Sequence, residues 1–435
     1  MAHAAGTIKT KFLGLLQSLT PEDVAKDPSR DFSRARKLPV QKTILSLVLL
    51  GKDCLDTEMR RLFREMRGDG PTKSAFVQQR AKLSENAMPS VFSRLNRLFP
   101  PARTFNGVHI FAADGTDHNI PPDGKDSPSF ILYNSRKGGY HQNHVNTVYD
   151  VLENRYIDVL IQPRGEANET SALCEMVRRN PVRGECLYIM DRGFNCFNLM
   201  ASIREAGSFF MIRAKDVGKG STLDCFELPD KEEFDTRFTF YISKKKKGVF
   251  KKKPGFKYIH PVTQRFDYLG PGIPGDIYTL PFRLVKVRLE KGHYEYLITN
   301  LPEDRFPAAV MKHLYHLRWS CEEAYFMLKY KANLVYHHSR KKEYIIQETY
   351  ARLILYNLTS LLASCVTVEK KKNRKYEYKV NMTQAFMSCR MCFSGELPPA
   401  LVEKELLRYL TPVRPGRSFA REMRSQRLMP LNNRN

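Results

Sequence analysis

Two apolar runs that each end on an aspartate, VHIFAAD at 108–114 and CLYIMD at 186–191, constrain this chain more than any other feature. Each reads as a buried strand, and a buried strand seldom ends on an unpaired carboxylate, because desolvating that charge is costly without a cation or hydrogen bonds. Between them, HQNHVNTVYDVLENRYIDVLIQPR reads as two strands around the polar turn ENR, and NETSALCEMVRRN as a helix with Asn168 as its cap. NCFNLMASIREAG then reads as a second helix and SFFMIRAKD as one more strand. The order is strand, strand, strand, helix, strand, helix, strand.

That order predicts an α/β fold with a ribonuclease H-like core, in which the first and fourth strands lie side by side and bring Asp114 and Asp191 together. Aspartate is also a common turn former, so each motif alone says little. Residues 1–104 read as an N-terminal helical domain, with helix-period runs such as ILSLVLLG and KSAFVQQRAKL separated by the turn GDGPTK. Arg34, Arg36, Lys37, Lys73, Arg80 and Lys82 are expected on its surface, either to bind DNA ends or as the solvated charges of a helical cap. The core continues from 105 to 216 and is interrupted over 217–302 by a β-rich insertion. That insertion holds FTFYIS, FKYIH, RFDYLG, FRLVKVRLE and HYEYLITNLP, with the basic loop KKKKGVFKKK among them. The core resumes over 303–368, ending in a long helix from about Lys341 to Val368. A C-terminal region, 369–435, is helical and ends in a basic tail.

A formal net charge of +25, from 71 Lys and Arg against 46 Asp and Glu, calls for an extended polyanion as partner. Nucleic acid is the first candidate. No apolar run is long enough to span a bilayer, and MAHAAGTIKTKFLGLL lacks the long apolar centre and cleavage site of an export signal. Nine scattered Cys suit a reducing compartment, and the lone pair Cys389 and Cys392 reads as buried thiols rather than a zinc site. The chain therefore reads as cytoplasmic, with no membrane partner.

The stretch YHLRWSCEEAYFMLK, read as one helix, places Tyr315, Arg318, Glu322 and Lys329 within roughly 60° of one another. Leu317, Cys321, Ala324 and Leu328 gather opposite, while Trp319 and Phe326 flank the polar stripe. The stripe is either a solvated face or a site. Glu322 can complete a set of three carboxylates with Asp114 and Asp191, hard oxygen ligands suited to Mg²⁺ or Mn²⁺. Two such ions roughly 3.5–4 Å apart support phosphodiester chemistry.

The spacing Tyr315-(2)-Arg318-(3)-Glu322-(6)-Lys329 resembles the Y-R-E-K signature of the DDE transposases of insertion-sequence family four. ADGT and MDRGF resemble that family's two catalytic aspartate motifs, QETYARLILYNL its later helix, and DFSRARKLPV with KSAFVQQRAKL its N-terminal region. The resemblance implies that Asp114, Asp191 and Glu322 are the catalytic, metal-binding acids, holding two Mg²⁺ or Mn²⁺ ions. It implies DNA contacts for Tyr315, Arg318 and Lys329, and further ones for Arg213 and Lys215. It also implies a homodimer acting on paired double-stranded ends, cutting at terminal inverted repeats and joining 3′-hydroxyls to target DNA. Relatives that cut through a hairpin hold a flipped base with a Trp from the insertion, but the only Trp here is Trp319. Phe256, Tyr258 or Tyr268 is expected to stack in its place or to belong to the insertion's core. Two rivals stay open: a metal-dependent nuclease or junction resolvase without strand transfer, and a non-catalytic DNA-binding relative.

Overall fold

The computed structural model describes residues 2–34, 36–66, 69–122, 128–132, 138–214, 221–246, 252–269, 276–290, 292–369 and 375–414. Lys215, the middle of KKKKGVFKKK, most of EKKKNRK and the basic tail beyond Arg414 lie outside the described residues.

The N-terminal part forms α1 (Ala2–Gln17), α2 (Pro21–Val24), α3 (Val40–Leu49), α4 (Leu55–Leu62), α5 (Lys73–Arg80) and α6 (Ala87–Leu98). After the GDGP break the Thr72 hydroxyl starts α5 by accepting from the Ala75 N–H at 3.2 Å. Next come β1 (His109–Ile120), β2 (Phe130–Leu132), β3 (Gly139–Asp150), β4 (Arg155–Pro163), α7 (Glu169–Arg178), β5 (Cys186–Met190), α8 (Phe197–Glu205) and β6 (Phe209–Arg213). Asn168 caps α7 as read from the sequence, its side chain accepting from the Ser171 N–H at 3.0 Å. The strand order is β4-β3-β1-β5-β6, with β1, β5 and β6 parallel and β3 antiparallel to both β1 and β4. This mixed α/β sheet is consistent with the ribonuclease H-like order expected above.

The insertion continues that sheet rather than leaving it. It contributes β7 (Phe234–Ser243), β8 (Phe256–Tyr258), β9 (Tyr278–Glu290) and β10 (His293–Thr299). β10 pairs with β6, β9 with β10, β7 with β9 and β8 with β7, so among the described residues ten strands share one sheet. RFDYL, 265–269, is not a strand. Asp267 accepts from Arg265 and its N–H bonds the Asn198 side chain, while Phe266 and Tyr268 pack on Tyr278; local polar bonds and ring contacts replace a ladder.

Beyond the insertion lie α9 (Ala308–His316), α10 (Trp319–Tyr330), α11 (Lys342–Ser364), α12 (Met382–Ser394) and α13 (Pro399–Arg408). Alternation along the strands divides the sheet into two apolar faces. Ile110, Ala112, Leu187, Ile189 and Met211 face the layer containing α10 and α11, whereas Phe111, Ala113, Tyr188, Met190 and Phe210 face α7 and α8. Most side chains of α11 are buried, including all from Ala351 to Leu362, and it packs against α1, α3, α6, α12 and β4. The N-terminal helices and the sheet thus share one continuous core.

Three further expectations need correction. β1 does not end at Asp114: its polar half continues to Ile120 because β3 supplies the ladder, Asp114 pairing with Thr147 and Ile120 with His141. YHLRWSCEEAYFMLK is not one regular helix. The N–H of Arg318 bonds Tyr315 O, Ser320 bonds Leu317 O and Cys321 bonds Arg318 O, a three-residue spacing that tightens the chain between α9 and α10. Arg80 is not a surface cation either, since it is buried against α11 in an ion pair with Glu348 at 2.8 Å.

Candidate active site

Parallel pairing between β1 and β5 runs from His109 opposite Cys186 to Ala112 opposite Ile189 and then stops. Two residues further on stand Asp114 and Asp191. They share the parity of Ala112 and Ile189, so both carboxylates belong to the face covered by α10 and α11. Strands in register lie about 5 Å apart, and beyond Ala112 the β5-side edge of β1 is open, a crevice at the carboxyl ends of parallel strands. Gly115 N–H donates to Asp114 Oδ1 at 2.9 Å, and Gly193 N–H to Asp191 Oδ1 at 2.7 Å. Burial raises the Asp114 pKa to about 6; the Gly115 bond and Arg318 oppose the rise, while the charges of Asp191 and Glu169 add to it.

Helix α10 lies over this edge because its apolar side, Cys321, Ala324, Tyr325 and Leu328, is buried. Two bonds stitch it to β1. The Tyr325 hydroxyl donates to the Asp114 carbonyl oxygen at 2.7 Å and meets Thr147 Oγ1 at 2.7 Å, and Lys329 Nζ donates to the Asp117 carbonyl at 2.7 Å. Glu322 is one turn before Tyr325 and accepts from Arg318 Nη2 at 3.2 Å. Burial disfavours the Arg318 charge, but Tyr315, Asp114 and Glu322 outweigh it and raise the pKa. The buried Arg318 Nε–H has no acceptor among the described residues.

Tyr315 is buried on α9 rather than presented with the stripe, and burial raises its pKa to about 12. The Arg318 guanidinium lies 5.9 Å from its ring centroid. Arg213, at the end of β6, pairs with Glu295 at 3.2 Å, and both charges act on Tyr315. Arg318 thus links Glu322, which it bonds, to Asp114, whose charge acts on it; the Asp191 charge acts in turn on Asp114, and Tyr315 and Arg213 stand beside Arg318. Among the described residues, no three His, Cys, Asp or Glu side chains form a group that could hold a metal ion.

The other face of β1 carries a cluster that sequence reasoning missed. His144 Nδ1 lies 2.6 Å from Asp117 Oδ1, His144 Nε2 faces Glu169 Oε1 at 2.9 Å, and Arg164 Nε reaches Asp117 Oδ1 at 2.9 Å. Burial works against the imidazolium, but the two carboxylates win and raise the His144 pKa to about 9. Gly115 lies directly over this group: a Cβ there would collide with His144 Nε2 and stand 2.7 Å from Glu169 Oε1. The one signal in the sequence was the glycine after Asp114. Tyr325 was missed as well, because an aromatic on the apolar side of a helix looks like ordinary core.

No helix among the described residues is long and apolar enough to cross a membrane. No curated protein matches the chain. A solved structure of piggyBac transposase, a synaptic complex with hairpin DNA, is similar at 12% identity over 86% of this chain and 76% of that one, with a TM-score of 0.41. The model of the transposase DDE domain matches residues 108–358, from the start of β1 to within α11. That match covers more than half of the chain and takes in both aspartate strands, the insertion and α10, so the chain belongs to the transposase DDE domain family, enzymes that cleave DNA and transfer its strands.

Proposed function

We propose that this transposase binds the terminal inverted repeats of an insertion sequence of family four, cleaves the DNA at both ends and joins the freed 3′-hydroxyls to target DNA. One observation supports the reading: Asp114 and Asp191 each come two residues after the last paired rung, Ala112 and Ile189, of two adjacent parallel strands, and Arg318, on which the Asp114 charge acts, bonds Glu322. Asp114, Asp191 and Glu322 are the metal-binding acids in this reading. The donors are of the right chemical class, being carboxylates only, and the raised pKa of Asp114 marks a buried charge that local partners leave under-compensated; as they stand the three do not close into a metal-holding group, so binding would have to draw them together. Two Mg²⁺ or Mn²⁺ ions bound there would supply the Lewis acidity that activates a water or 3′-hydroxyl and steadies the leaving oxygen.

The chain's own groups position the strand. Arg318 gives one N–H to Glu322 and keeps its buried Nε–H for a phosphate oxygen, the planar fork being suited to that anion. Tyr315 orients the guanidinium from beneath. Lys329 holds β1 through Asp117 and supplies positive charge beside the crevice, and Arg213 extends that charge along the substrate; Lys215 is kept as a further DNA contact by resemblance alone. Tyr258 lines a cleft of about 540 Å³ with Lys257 and Arg265, an aromatic and cationic setting for an unpaired base. Two chains acting on paired ends complete the reaction.

The test uses the full chain, Mg²⁺ or Mn²⁺, and a duplex containing the DNA that flanks the gene. Asp114→Asn, Asp191→Asn and Glu322→Gln should each abolish cleavage and joining while retaining end binding. Cleavage that survives in one of them removes that acid from the site. Cleavage without joining by the unaltered chain would leave a nuclease of the resolvase kind, and metal-independent binding alone a non-catalytic relative.

A further inference from the structure

We propose that α5 reads base sequence in the major groove of duplex DNA, with Gln78 as a specificity-determining side chain; this rests on the transposase reading above and names the surface that selects the DNA. The outward side of α5 presents Ser74, Val77 and Gln78, with Ala75 half-buried between them. In a chain of net charge +25, these positions carry no charge, and Lys73, one turn before Val77, is paired with Asp56 at 3.5 Å. Its hydroxyl, methyl and amide groups are those that distinguish base edges: an amide to adenine N6 and N7, a hydroxyl to several edges, a methyl to the thymine methyl. Gln78 Nε2 is held only by a long 3.4 Å contact to Ser74 Oγ. Eight residues make a helix about 12 Å long, the width of a major groove.

Cations border this neutral centre. A cleft of about 390 Å³ beside α5 is lined by Arg30, Arg34, Arg36 and Lys82, and an adjoining cleft of about 630 Å³ runs from Arg36 and Lys37 to Ala75 and Gln78. Arg34 and Arg36 are exposed and make no ion pair among the described residues. Lys37 and Lys73, by contrast, are paired with Asp69 and Asp56. Lys82 lies 5.7 Å over the ring of Phe32, whose backbone is held at φ 60°, a conformation that a bulky residue keeps only when its surroundings fix it. An uncharged reading face flanked by unpaired arginines is complementary to a duplex, whose base edges lie between two phosphate backbones.

The inner side of α5 makes the reader rigid. Phe76 is fully buried, and Arg80 binds three positions of α11: the Glu348 carboxylate at 2.8 Å, the Tyr344 carbonyl at 3.0 Å and the Gln347 amide oxygen at 3.2 Å. Because α11 also packs on β4, the bases read by α5 stand at a fixed offset from the crevice at Asp114 and Asp191.

The experiment selects binding sites from a randomised duplex pool with the full chain, then measures affinity for the selected site and a scrambled one over a salt series. Gln78→Ala should relax the preference at one or two adjacent base pairs and weaken the selected site by about 5- to 150-fold, leaving the scrambled duplex unchanged. Gln78→Arg should move the preference there from adenine to guanine. Arg34→Ala and Arg36→Ala should weaken both duplexes alike and lower the slope of log affinity against log salt by about 0.9 each. All three positions are exposed, so thermal midpoints serve as the check on folding. The proposal is overturned if the Gln78 variants select the unaltered chain's sequence with its affinity, or if the arginine variants keep its salt slope. Metal-dependent cleavage of flanking DNA, assayed alongside, separates the two readings: intact cleavage with unaltered selection refutes only the role of α5. Altered selection by a chain that never cleaves refutes the transposase reading instead.

Discussion

Asp114→Asn should make the protein more stable, and only above the acid range. The Asp114 carboxyl has a folded-state pKa of about 6 against 3.8 for a solvated aspartate, so the native state binds its proton more tightly than the unfolded chain does. Below pH 4 both states are protonated and the residue imposes no penalty. As pH rises from 4 to 6 the native state must accept a desolvated charge, and stability falls relative to the amide. The shift corresponds to about 3 kcal/mol, or about 2 kcal/mol after discounting for water reaching the open side of the crevice. With an unfolding entropy of about 2.1 cal/mol/K per residue over 435 residues, that is a rise in Tm of about 2 °C. Calorimetry or intrinsic fluorescence in chelator at pH 8 should show the variant above the unaltered chain, with the gap closing toward pH 4. Added Mg²⁺ should raise the Tm of the unaltered chain but not that of the variant, since a cation that binds only the native state stabilises it by mass action. A gap independent of pH, or a variant less stable than the parent at pH 8, would refute the view that Asp114 is an under-compensated buried charge.

Tyr325→Phe removes the hydroxyl that joins α10 to Asp114 and Thr147 while keeping the ring; it should cost about 1–3 kcal/mol and weaken cleavage at limiting Mg²⁺, and a double cycle with Thr147→Val should be non-additive in chemical denaturation. Gly115→Ala forces the His144 and Glu169 side chains apart and should destabilise by about 1–3 kcal/mol, read as a lower denaturation midpoint. Arg80→Met strands Glu348, whose carboxyl is buried yet held well below its usual pKa by Arg80 and two histidines; about 3–5 kcal/mol should be lost at pH 7, read as a lower denaturation midpoint. That deficit should shrink as pH falls below about 4.5, where the unfolded carboxyl is protonated in any case.

Much of the sheet was legible because strands and helices there are set by local period: β3, β4, α7, β5 and α8 follow alternation, caps and Gly-containing turns that act over a few residues. Asp191 could be placed for the same reason, since Met190 is the last apolar residue before Arg192 and Gly193 turn the chain. What escaped was decided by distant partners. The extension of β1 past Asp114 depends on β3, whose polar residues pair with a sequence that alone looks like a turn. Arg80 looked like a surface cation because its partner, Glu348, is 268 positions away. RFDYLG has strand composition, yet Asn198 on α8 takes the backbone bond that a ladder needs.

The tightened turn between α9 and α10 is the departure from sequence expectation with the largest chemical consequence. A regular helix would have set Tyr315 and Arg318 on the same presented stripe as Glu322 and Lys329. The tighter spacing turns Tyr315 and Arg318 inward instead, where both are buried and where Arg318 is coupled to Asp114 as well as to Glu322. A guanidinium keeps its charge throughout the accessible pH range, so it offsets the repulsion among acids gathered in a low-dielectric crevice. A lysine at that position would be a poorer choice, because burial disfavours the ammonium, as the lowered pKa of Lys329 shows two turns beyond Glu322 on the same helix. The fixed spacing from Tyr315 to Glu322 is therefore best understood as a short chain of contacts, ring to guanidinium to carboxylate, that crosses the helix break and aims Glu322 from below, rather than as a row of side chains facing outward together.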